Sequence, residues 1–147
     1  RREIETYCRE CIGDCVATLR EQTSKLCAEM LATITGSGSV HQKTLNRLRN
    51  FIEQFGELNF VDDLGMERQL DAMRKEFLSH TAEEYRGSAT SRQRLVAGLT
   101  ALRQTAADMA TQDSRELVER FGQMGVRKFH VETVEEDAVV ENAAKVA

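Results

Sequence analysis

EIETYCRECIGDCVATLREQTSKLCAEMLATIT, residues 3–35, decides the fold. Wound at about 100° per residue, it places Ile4, Cys8, Cys11, Ile12, Cys15, Val16, Leu19, Leu26, Met30 and Ile34 within a sector roughly 140° wide. Asp14, Glu21, Ser24, Lys25 and Ala28 fall on the opposite side. The pattern predicts one long amphipathic helix from Glu3 to Thr35. So wide an apolar sector exceeds the narrow a/d line that a two-stranded coiled coil buries. It asks for more than one covering helix, from the same or a sister chain. Ile12, Val16, Leu19, Leu26 and Met30 are the expected interaction face.

Further along, Gly36 is the expected left-handed stop, and Gly36-Ser37-Gly38-Ser39 a flexible connector with Ser39 placed to cap the next helix. The second helix is expected from His41 to Leu58, with Leu45, Leu48, Ile52 and Phe55 at three- and four-residue spacing. Asn59-Phe60-Val61 reads as a turn. Asp62 or Asp63 then caps a third helix whose Met66, Leu70, Met73, Phe77 and Thr81 keep one phase as far as Tyr85. A small-residue loop, Arg86 to Ser91, precedes a fourth helix capped by Ser91, with Leu95, Leu99, Leu102, Ala106 and Met109 on one face. That helix either runs from Arg92 to Met124 or breaks near Gln112, since Asp113 and Glu116 form a capping-box pattern. Val126 to Val134 reads as extended chain or a short strand. Glu132 to Ala147 is acidic and alanine-rich, a frayed helix or a disordered tail.

The fold class expected is therefore all-α: an antiparallel bundle of about four helices with a long first helix. Residues 1–125 form the bundle, and residues 126–147 an extended segment and acidic tail. Composition agrees with a helical reading. The 147-residue chain has no proline and no tryptophan, and aromatics are 5%, so helix breakers and strand-favouring side chains are scarce. The net charge of -4 gives no global attraction to nucleic acid or acidic membranes. No apolar run approaches the roughly 18 residues that span a bilayer. The chain opens Arg1-Arg2-Glu3 rather than with methionine, which reads as a segment of a longer protein.

All four cysteines, Cys8, Cys11, Cys15 and Cys27, lie in the first predicted helix. A secreted disulfide framework spreads its cysteines to tie distant segments together. Clustered thiols point instead to a reducing, cytoplasmic setting. The expectation is that they are small core residues. Cys8, Cys11 and Cys15 are also the candidate metal ligands. On a straight helix, however, Cys8 and Cys15 are about 10 Å apart in rise, too far to share one zinc ion. Only neighbours such as Cys8 and Cys11 can share an ion, with further ligands from elsewhere. His41, His80 and His130 are scattered, and paired Glu-x-x-His motifs of a di-iron bundle are missing. Phosphate-binding loops and a nucleophile elbow are missing too. Arg86, Arg92, Arg94 and Arg103, then Arg115, Arg120, Arg127 and Lys128, then Lys43, Arg47 and Arg49, form basic groups interleaved with acids.

No catalytic residue and no cofactor is expected. The leading expectation is a non-enzymatic helical module for protein–protein interaction or oligomerisation, in the cytoplasm, with a protein partner or as a homo-oligomer, and with no membrane contact. Two alternatives stand beside it. One is a metal- or thiol-dependent helical sensor using the N-terminal cysteines. The other is a nucleic-acid-associated helical accessory domain.

Overall fold

A computed structural model describes residues 2–59, 62–112, 114–120 and 122–123. The described residues form helices and no strand. In order these are α1 (Arg2–Ser37), α2 (Gln42–Leu58), α3 (Leu64–Phe77), α4 (Ala82–Arg86) and α5 (Ala89–Thr111). Residues 115–120 and 122–123 are helical again. The expectations placed on Phe60, Val61, Phe121, Met124, the segment 126–134 and the acidic tail lie outside the described residues.

α1 carries Glu3 and Glu5 in its first turn, where carboxylates favour the positive end of the helix dipole. Its stop falls two residues later than the sequence predicts. Gly36 stays helical, and the Ser37 hydroxyl donates back to the Thr33 carbonyl at 2.8 Å. Gly38 is the residue that turns left-handed, at φ +68, and its N–H closes the end by donating to the Ile34 carbonyl at 2.9 Å. Ser39 does not cap α2. His41 occupies the cap position without a side-chain bond. Val40 and Leu45 flank that start in the positions of a hydrophobic staple, and both join the core.

Along α2, Leu45, Leu48 and Phe55 are buried, and Ile52 and Phe51 pack against the core from its edge. At the start of α3 it is Asp63 that caps, accepting from the Met66 N–H at 3.4 Å. Asp62 before it takes the left-handed region at φ 58, which an aspartate tolerates better than most residues. Met66, Leu70, Met73 and Phe77 are buried as the spacing requires.

The third helix was expected to continue to Tyr85, and it does not. It ends at Phe77, and Thr81 starts the separate α4 by accepting from the Glu84 N–H at 3.3 Å. The carbonyls released at this break find other donors. The buried Tyr85 hydroxyl donates to the Phe77 carbonyl at 2.6 Å, and Arg49 donates to the Leu78 carbonyl at 3.0 Å. Burial pushes the Tyr85 phenol up to about 12. α5 then starts at Ala89, capped by Ser88 accepting from the Ser91 N–H at 3.2 Å, rather than by Ser91. It ends at Thr111, with Gln112 extended at ψ 150, so the break near Gln112 is the alternative realised.

α1 and α5 run antiparallel along their shared length. Ser24 donates to the Arg103 carbonyl at 3.1 Å, and Arg20, one turn earlier in α1, reaches the Met109 carbonyl further along α5 at 2.7 Å. Arg20 is buried, and its Nε also donates to the buried Asp63 carboxylate at 2.8 Å. One side chain thus ties α1 to the cap of α3 and to the last turn of α5. α3 meets α5 at a glycine. A Cβ on Gly98 would lie 2.5 Å from the Phe77 ring, so this position is closed to any larger side chain unless the ring moves.

Two stability outcomes are expected. Arg20→Met leaves the Asp63 carboxylate buried without its cation and should cost about 3–5 kcal/mol in denaturant unfolding. Gly98→Ala should destabilise by about 1–3 kcal/mol through overpacking on Phe77, despite alanine's better helix propensity.

Candidate functional site

α1 is covered along one stretch and bare along another. Val16, Thr23, Leu26, Met30 and Ile34 are buried under the chain's own helices. Leu19 packs against that core, and Ile12 is half-buried. The residues expected as an interaction face therefore lie largely inside, with Val16, Leu26 and Met30 in contact with the same chain. Ile4, Cys8, Cys11 and Cys15 point elsewhere. All four are exposed, on a line roughly 100° around the helix from the buried one. Ile4 is 69% exposed and Tyr7, beside it, 67%.

The expectation that the cysteines fill the core thus holds only for Cys27, which is buried. Cys8, Cys11 and Cys15 are free and exposed. The reason is mainly axial. At about 100° per residue, Cys27 falls on the line of Val16 and Thr23 and Cys15 is turned away from it, whereas Cys8 shares the azimuth of the buried Leu26. Residues 3–11 are exposed in every direction because α5, whose Met109 meets Arg20, ends before reaching them. Burial pushes the Cys27 thiol up to about 12, against a smaller opposing pull from the Arg103 guanidinium. That thiol stays protonated at neutral pH.

Tyr7 stands one turn before Cys11. Its hydrogen bond with Cys11 is the main cause that raises the Tyr7 phenol above its ordinary range, followed by the charge of Cys11 itself. Sequence reasoning passed over Tyr7, although its spacing of four from Cys11 was a visible signal. It also passed over Arg20, an arginine in phase with Val16 and Thr23.

Among the described residues, no group of three or more His, Cys, Asp or Glu side chains converges to hold a metal ion. His80 is exposed and pairs with Glu84 at 2.8 Å, its ring edge-on to Tyr85. Several of the basic side chains serve the structure. Arg92 donates to the Tyr85 and Arg86 carbonyls at 3.1 and 2.8 Å, and Arg47 pairs with Glu29. Arg47, Lys43 and Lys25 border an open groove between α1 and α2 with Leu26 and Phe51 in its wall. No helix among the described residues is long and apolar enough to cross a membrane.

Comparison with known proteins adds no assignment: no protein-family model matches the chain, and neither a curated protein nor a solved structure matches it significantly.

Thiol labelling of the folded protein with a chromogenic disulfide should show three fast cysteines and one that reacts only on unfolding. In Cys27→Ser the slow reaction should vanish and the fast ones persist.

Proposed function

We propose that this chain is a non-enzymatic helical module that associates with copies of itself through the first turns of α1. In this reading α1, α2, α3 and α5 alternate in direction as a four-helix antiparallel bundle, and α4 folds the connection between α3 and α5. The observation that carries the association is the exposure of Ile4 and Tyr7 at 69% and 67%. They stand on a helix whose other apolar residues from Val16 onward are covered. Large exposed apolar side chains grouped on one face are the usual mark of an interaction surface. Cytoplasmic residence fits a chain whose four cysteines are unpaired.

The double variant Ile4→Glu/Tyr7→Glu tests the reading. Light scattering on the wild type should give a mass above the 16.6 kDa of one chain, growing with concentration. The variant should return to the single-chain mass with unchanged helix content by circular dichroism, since neither side chain contributes to the core. A wild type that keeps the single-chain mass at the highest attainable concentration would overturn the proposal.

A further inference from the structure

The exposed cysteines have a geometry that the association reading does not use. Cys8 and Cys11 are three residues apart, and Cys11 and Cys15 four apart, on an unbroken helix. Side chains at these spacings are neighbours, with Cβ atoms about 5–6 Å apart. Cys8 and Cys15 are two turns apart, about 10 Å in rise, and do not meet. Each ion seated here can therefore draw on two sulfurs, and Cys11 belongs to both pairs. No third carboxylate, imidazole or thiol converges among the described residues. Zinc in a protein site takes four ligands, and calcium and magnesium take oxygens. Thiolate ligands suit Cu(I), zinc and iron–sulfur clusters, and with two sulfurs and no converging third ligand among the described residues the soft monovalent cation, Cu(I), is the one this arrangement satisfies.

We infer that the α1 stripe is a two-thiolate Cu(I) site with Cys11 as the shared ligand and Cys8 or Cys15 as the second. Binding converts two thiols and one Cu(I) into a bis-thiolate complex of single negative charge. Two protons pass to solvent, and no electron moves. Cys27 takes no part, being enclosed in the core. Tyr7 reports on occupancy. The chain has two tyrosines and no tryptophan, and only Tyr7 of the two touches the stripe, so metal at Cys11 should quench its emission and leave that of the buried Tyr85.

The test is anaerobic titration with Cu(I), kept reduced by ascorbate, against a chromogenic Cu(I) chelator. Wild type should take one ion per chain with loss of Tyr7 emission. Cys11→Ser should weaken binding at least about 10-fold, because it removes a ligand from both pairs. Cys8→Ser and Cys15→Ser should each have little effect alone, while the two together should match Cys11→Ser. Cys27→Ser should bind as wild type. The Ile4→Glu variant keeps every cysteine and Tyr7 and should bind as tightly as wild type, which separates this site from the association proposed above. Equal losses from all three single stripe variants, a wild-type affinity in Cys11→Ser, or copper left wholly on the chelator would each overturn the assignment. Circular dichroism of each serine variant, expected unchanged for exposed positions, guards the comparison against misfolding.

Discussion

A buried guanidinium must be given partners or it will not stay buried. Arg20 meets that demand by gathering three helices around itself. Its own helix brings it inward, Asp63 meets it with a carboxylate at 2.8 Å, and the Met109 carbonyl accepts a second bond at 2.7 Å. The same Asp63 caps α3, and its own N–H donates to Asn59 at 2.9 Å. The start of α3 and the end of α5 are thus placed by one cation on α1. Neither end is free to slide without stranding a charge in an apolar interior, where pairing is the condition of residence.

Most of the helical plan was legible because apolar side chains recur at helical spacing. Leu45, Leu48 and Phe55, then Met66, Leu70, Met73 and Phe77, then Leu95, Leu99, Leu102 and Ala106 are all buried where that spacing puts them. Two things were not legible, each for a physical reason. The stop between Phe77 and Thr81 was hidden because the apolar phase runs straight on to Tyr85, while a hydroxyl at Thr81 and a donor at Tyr85 terminate one helix and start another. The phase of α1 was blurred because cysteine is small and uncharged and so fits a core or a surface equally well. Counting Cys8, Cys11 and Cys15 as apolar widened the sector and pulled its centre away from the true inner line, which runs through Arg20, Thr23 and Cys27.

α1 therefore does two jobs at different places along its length. From Val16 to Ile34 it is the inner wall of the molecule, packed against α5, bordering α2 and tied to the cap of α3. From Ile4 to Cys15 it offers sulfur and two large apolar side chains to solvent. The candidate site was in the sequence as a list of residues, but its separation from the core needed the point along α1 at which α5 ends. Surface and interior are adjacent on one rod, and the thiol of Cys27, held near 12 by burial, marks how sharply the environment changes between them.

The contact between Phe77 and Gly98 fixes more than a local fit. The ring sits in a notch that a single missing side chain opens in α5. Moving α5 by one turn, about 5.4 Å, would bring Arg94 or Leu102 under the ring in place of Gly98. Neither leaves the space. The two helices have one seating and no neighbouring one, so this pair works like a key with a single tooth: it either engages fully or does not engage.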